Sequence, residues 1–374
     1  MSKLEILEAQ APNLEFELAD RTPVVKLGLI ATIYFCGGYT SDSKKRAMQC
    51  FERFKKEYGH LLNGQFHKKF KKITDQSFEK TKEQILQSKP NEKYEWELSS
   101  AKSVSEAAEY SLAILNSQEV HGDSRRSFIK LTLPWETLKQ PSGVQHYHQW
   151  LFYLCNQIQA DHGYGGLSSA LPYDHYNYEP IEYQLAQQHP GLEVDSLVIN
   201  FALELVNSIK GANWYTILST KFIDKLGGLD SITKALTKHT DIQIFSYDCG
   251  TIIRAGDYPE LGSQQGDNPE AYVAVNRVIK PIRIAKPDQL HTYSAYGNTF
   301  DEESSKRWYA RFDEAEEITR SPRRLAAGEH CSVAGFWYSP ANNNVRQRFK
   351  QGEVMPEFKE SSWGATFWYW SGEE

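Results

Sequence analysis

The sequence predicts an α+β fold, with a mixed or largely antiparallel sheet and helices packed on it. Apolar, β-branched runs such as "PVVKLGLIATIYF" from Pro23 are interleaved with helix-period runs such as "KKRAMQCFERFKKEYG" from Lys44. The two kinds of segment follow one another without strict strand–helix–strand regularity, which argues against a doubly wound parallel sheet. At 374 residues and 40% hydrophobic content, the chain is long enough to bury a sizeable core.

The elements follow in order. The run from Pro23 reads as a strand ending at Gly37-Gly38, and Ser41 or Asp42 then caps a helix that stops at Gly59. Met48, Phe51 and Phe54 put three apolar side chains on one face of that helix. "KYEWELSSA" reads as a strand, Ser103 as the start of a helix through "VSEAAEYSLAILN", and "SFIKLTLPWETL" as a strand. "GVQHYHQWLFYLCNQIQ" is helical by the spacing of Val144, Tyr147, Leu151, Leu154 and Ile158, and "GYGGLSSALP" is a short strand entering a turn. Further on come a strand "GANWYTILS", a short helix stopped by Gly227-Gly228, and a helix capped at Asp230. "IQIFSYDCGTIIRAG" is one long strand or a hairpin turning near Asp248 to Gly250. "NPEAYVAVNRVI" is a helix with Pro269 in its first turn. Both halves run strand, helix, then a Gly-containing strand, as a weak internal duplication would. The expected division is an acidic extension over 1–22, an α+β domain over 23–330, and an aromatic-rich segment over 331–374 packed on that domain.

Composition narrows the function. The net charge of −6 argues against a nucleic-acid binder. The N-terminal run has no basic n-region followed by an apolar h-region, and no apolar run reaches the length of a membrane span. Five dispersed cysteines without a CxxC fit reduced thiols, so a cytoplasmic protein is expected. From Gln140 to Ile209 there is no Lys or Arg, while Asp161, Asp174, Glu179, Glu182, Glu193 and Asp195 fall there. A solvated face explains such a segment, and so does a surface for a basic partner.

Candidate chemistry is sparse. His146 and His148, with Asp161-His162 and Asp174-His175 close behind, resemble a metal set. Two residues apart on a helix, however, lie about 200° apart around its axis, so the first pair diverges. Asp257, Glu260 and Asp267 sit in a Gly- and Pro-punctuated loop but match no calcium-loop spacing. Gly256, Asp257, Pro259, Gly266 and Asp267 are expected to shape that loop, with Asp267 or Asn268 capping the next helix. His330 and Cys331 are adjacent, and adjacent side chains diverge. No G-x-S-x-G, P-loop, G-x-G-x-x-G or H-E-x-x-H occurs, so no enzyme activity, metal or cofactor is expected.

The stretch Val206–Ile284 resembles the bacterial type VI immunity protein family. The matching residues are Trp214 with Thr216-Ile217-Leu218, Leu226-Gly227-Gly228, Ile253-Arg254-Ala255-Gly256, Pro259, Gly266-Asp267 and Pro281-Ile282-Arg283. "WYARFDEA" from Trp308 and the segment Cys331 to Trp337 are also similar, and the resemblance extends from about Val24 onward. The loop "GSQQGD" carries extra residues relative to the family. The resemblance implies a cognate antitoxin that binds a toxic type VI effector, often a basic nuclease, and neutralises it without turnover. Two other readings are a metal-dependent hydrolase using His146, His148, Asp161 and His162 or Asp257 and Asp267, and an assembly or chaperone component of the secretion apparatus.

Overall fold

The computed structural model describes residues 1–196, 198–263, 268–287, 299–313, 324–332, 334–359 and 365–372. The chain divides into two compact units, 1–313 and 314–374. In the first unit, the strands are β1 (Phe16–Glu17), β2 (Pro23–Phe35), β3 (Gly64–His67), β4 (Lys69–Lys72), β5 (Glu95–Ser99) and β6 (Ser111–Leu115). They continue with β7 (Ser127–Pro134), β8 (His162–Ala170), β9 (Tyr215–Ser219), β10 (Ile242–Tyr247) and β11 (Gly250–Ala255). They form one sheet in the order β10-β11-β9-β8-β2-β7-β6-β5-β3-β4, with β1 paired to β2. The named ladders are antiparallel, so the α+β class with an antiparallel sheet is what this chain adopts.

Helices cover the sheet unevenly. Helices α1 (Lys3–Gln10), α2 (Ser41–Tyr58), α3 (Asp75–Gln87) and α4 (Gly143–Ile158) contribute to one large core. Phe51 of α2 stacks on Trp96 of β5 at 4.4 Å, Phe78 of α3 meets the same ring, and Tyr147 of α4 stacks on Trp214. On the other face lie α5 (Glu179–Gln188), α6 (Val198–Glu204) and α10 (Glu302–Tyr309). They close a second cluster over Ile30, Tyr34 and Tyr164. Helices α7 (Thr220–Lys225), α8 (Leu229–Leu236) and α9 (Glu270–Ile279) pack at the β9–β11 end.

Burial along the strands records this difference. Every residue of β8 and β9 is buried, as expected for strands covered on both faces. In β5 and β7 the pattern alternates: Trp96, Leu98, Ile129 and Leu131 are buried, whereas Glu95, Glu97, Phe128 and Lys130 are half-exposed. Among the described residues, no helix seals this face of one half of the sheet.

Several sequence expectations shift by a residue or two. Thr40, not Ser41 or Asp42, caps α2 through a 3.2 Å bond from the Ser43 N–H. Gly228 precedes α8, which starts before Asp230. The β10–β11 segment is a hairpin, with Tyr247 paired to Gly250. One expectation fails outright: no helix follows Ser103, and "SLAIL" is β6. Leu112 and Ile114 alternate into the core between β5 and β7, so cross-strand packing overrides the helix propensity of that stretch. The basic run "HKKFKK" makes the β3–β4 hairpin, and Lys69, Lys71 and Lys72 lie on an edge strand, where charge discourages pairing with other chains.

The second unit is a four-stranded sheet of β12 (Arg324–Ala326), β13 (Gly335–Tyr338), β14 (Arg346–Phe349) and β15 (Phe367–Gly372), in the order β12-β15-β13-β14. Trp337 and Trp368 are fully buried in its core with Phe349 and Met355. The division falls at 313/314, ahead of the 330/331 boundary expected from composition. Trp363, one of the tail's aromatic residues, lies outside the described residues.

At the centre of the sheet, β8 and β2 approach closely. A Cβ on Gly163 would sit 2.5 Å from the Thr32 carbonyl oxygen and 3.0 Å from Ile33 Cα of β2, and neither backbone atom can swing aside. Gly163→Ala is expected to destabilise the fold by about 2 kcal/mol through overpacking at the central strand pair. A denaturant melt within error of wild type would contradict this.

Candidate partner-binding surface

The open half of the sheet is a trough of about 350 Å³. Its floor is made of small residues, Ser111, Ala113 and Thr132, with Glu95, Glu97 and Lys130 among them. One wall is the segment from Leu171 to Tyr176, in which Tyr173 stacks on Phe66 at 4.0 Å and donates its hydroxyl to Glu95 Oε1 at 3.1 Å. The other wall is Asp195, Ser196 and the start of α6. Tyr176 is 69% exposed, Ile199 43% and Tyr173 40%, so the rim carries large apolar side chains in water. Clustered exposed rings around a concavity are a mark of an interaction site.

Behind the wall lies a buried charge network. Asp195 Oδ2 accepts Thr32 Oγ1 at 2.9 Å and pairs with Lys130 Nζ at 2.7 Å, while Tyr164 donates its hydroxyl to Oδ1 at 2.5 Å. The Asp195 N–H donates to Glu182 Oε1 at 3.0 Å, and Ser196 Oγ donates to Glu182 Oε2 at 2.5 Å. Glu193 pairs with Lys210 at 2.8 Å, accepts Asn213 Nδ2 at 2.6 Å and has Arg311 at 3.5 Å. Each charge is met by several partners, the condition under which ions are tolerated inside a protein. Burial pushes the Glu182 carboxyl up to about 7, against the bonds from Ser196 and Asp195 that favour its charged form.

These contacts relocate most of the residues expected to form an acidic face. Asp161 is buried, paired with Arg126 at 2.7 Å and bonded by Ser219. Glu179, Glu182, Glu193 and Asp195 are also buried, and of the six only Asp174 is exposed. The segment lacks Lys and Arg because its cations arrive from elsewhere in the chain: Arg126, Lys130, Lys210 and Arg311. An acidic face made of these six residues is therefore absent, because five of the carboxylates face inward.

The histidines do not converge. His146 lies 2.7 Å from the Tyr58 hydroxyl and 3.0 Å from Glu57, whereas His148 packs against Phe245 and Tyr215. His162 Nε2 faces the Leu205 carbonyl oxygen at 2.8 Å, and burial lowers its pKa to about 4. Among the described residues, no group of three or more His, Cys, Asp or Glu is arranged to hold a metal ion. His330 bonds the Gly352 carbonyl oxygen.

In the loop, Gly256 adopts φ +91°, its N–H donates to Asp241 O at 3.1 Å and its carbonyl accepts Trp214 Nε1 at 3.0 Å. Pro259 is buried, and Asp257 is exposed at 3.4 Å from Arg254. Gly266 and Asp267 lie outside the described residues. Pro269 stands at the N-cap of α9 without a side-chain cap, while Asn268 donates to the Arg311 carbonyl oxygen, so Asn268 does not cap that helix.

The trough itself was not legible in the sequence. "KYEWELSSA" reads as a strand, but nothing local shows that one of its faces meets no helix among the described residues.

Burial of Glu182 yields a signed pH effect. Its folded pKa, about 7, is raised above the ordinary 4.5, so its contribution is intact below pH 4.5 and lost as pH rises through 7. Glu182→Gln keeps an acceptor for the Asp195 N–H and removes the charge. It is expected to match wild type at pH 4 and to be more stable by about 3 kcal/mol at pH 8. Denaturant melts at the two pH values check this, and a variant that matches wild type at pH 4 but is weaker at pH 8 would show that the charge itself holds the wall.

A family model described as TsiV, type VI immunity for VRR-NUC, matches residues 46–312. A solved structure titled Pseudomonas aeruginosa T6SS protein PA0821 superposes with a TM-score of 0.71 at 21% identity, covering 85% of this chain and 92% of that one. At that identity the likeness shows a shared fold. No curated protein matches.

Proposed function

The chain belongs to the TsiV family of type VI immunity proteins for VRR-NUC, and from that premise we propose that it binds a VRR-NUC effector and neutralises it by stoichiometric occlusion. The family match over residues 46–312 carries this reading, and the shape of the first unit supports it. The matched stretch holds β5, β6 and β7, the segment 171–176 and α6, so the trough and its rim lie inside it. A binder without turnover needs exposed apolar anchors around a rigid concavity rather than a nucleophile or a metal. Tyr173, Tyr176 and Ile199 supply the anchors, and the exposed Asp174 between the two tyrosines offers a carboxylate to a basic partner. A nuclease holds phosphates with cationic side chains, so an acidic inhibitor opposes it in charge. Among the described residues no helix is long and apolar enough to cross a membrane. Interception in the cytoplasm, where a nuclease meets its substrate, is part of this reading.

Titrating this chain into an active VRR-NUC effector should reduce DNA cleavage linearly, reaching zero at a fixed molar ratio. Tyr176→Ala should weaken the complex by about 2 kcal/mol, the range of an aromatic anchor. Cleavage that persists at saturating excess, or inhibition at a small fraction of equivalence, would contradict stoichiometric neutralisation.

A further inference from the structure

Glu95 and Glu97 stand two residues apart on β5 and so share the trough face of the sheet. The cation nearest to hand, Lys130 of β7, is committed elsewhere: it sits 2.7 Å from Asp195 Oδ2 and also donates to the Asp195 carbonyl oxygen. Among the described residues, Glu97 has no ion pair, and Glu95 accepts a hydrogen bond from the neutral Tyr173 hydroxyl. The trough thus holds two carboxylates short of counter-charge, beside an aromatic ring and above an alanine floor that leaves room. Resting on the effector-binding reading, we propose that the trough receives a lysine or arginine side chain of the nuclease, seated against Glu95 and Glu97 beside Tyr173.

The chemistry fits a guanidinium best. A planar fork can bond a carboxylate with two N–H groups while its face lies on a tyrosine ring. Partial desolvation makes such a pair stronger than one on the rim. An acidic segment would meet two like charges here, so the trough also discriminates by sign.

Proton linkage follows from the same geometry. Burial, with some help from Glu95 and against Lys130, pushes the Glu97 carboxyl up to about 7. The other titratable or charged groups lining the trough are Lys93, which makes no ion pair with either glutamate among the described residues, Lys130, Tyr173, Tyr176, Asp195 and His175, and burial holds His175 below its ordinary value. A raised carboxyl is partly protonated at neutral pH in the free protein. An incoming cation favours its charged form, so binding expels a proton and tightens as pH rises. With a free value near 7 and a bound value well below 6, affinity should rise roughly tenfold between pH 6 and 8.

Calorimetry of the full-length chain with a catalytically inactive VRR-NUC effector at both pH values tests this. Wild type should gain about tenfold in affinity at pH 8. Glu97→Gln should bind at least roughly tenfold more weakly at pH 8 and lose the pH dependence. Glu95→Gln should weaken binding too, and Ala113→Trp, which fills the floor, should abolish it. Glu97→Gln with wild-type affinity and pH slope would overturn the cation seat, even if Ala113→Trp blocked binding. Unaltered binding by a folded Ala113→Trp variant would overturn the trough as the site. No binding by folded wild type would instead overturn the immunity reading on which the proposal rests.

Discussion

The carboxylate of Asp195 is reached from three adjacent strands: Thr32 of β2, Tyr164 of β8 and Lys130 of β7. Its backbone N–H is held in turn by Glu182 of α5. This one residue therefore ties the second layer of the first unit to the middle of the sheet. A buried carboxylate with a single partner would be a liability; with a hydroxyl, a phenol and an ammonium around it, it specifies where the 190–196 segment must lie. The wall of the trough follows from that placement. Covered strands lie to one side of the wall, and the half-open β5–β7 face lies to the other.

Much of the fold was legible because strand and helix periods are local signals. The β2, β5, β7 and β9 strands and the α2, α4, α7 and α9 helices follow from alternation, apolar spacing and Gly or Pro punctuation. The failure at Ser103 has a physical cause: "AEYSLAILN" satisfies a helical pattern, but its environment is a slot between two strands. Helices α5, α6 and α10 were also missed. They are short, and their apolar sides are buried against Ile30 and Tyr34 of β2 and Tyr164 of β8, which lie elsewhere in the chain.

The site was legible in a different sense. The absence of Lys and Arg between Gln140 and Ile209 was a real signal, but of internal pairing rather than of a surface. Composition cannot distinguish a carboxylate that faces water from one that meets an arginine folded in from another strand. The family, by contrast, was visible in residues with structural jobs: Trp214 donates to the Gly256 carbonyl oxygen, and Gly256 takes a backbone conformation that side chains rarely adopt. Such residues report the fold, and the fold carries the family.

The central claim is that the nuclease sits on the half-open face. Site-specific photo-crosslinking tests it most directly, with a photoreactive side chain placed at Tyr176 on the rim or at Gln243 on the exposed far-edge strand β10. The account predicts a covalent adduct with the effector from position 176 and none from 243. An adduct from 243 with position 176 silent would contradict it.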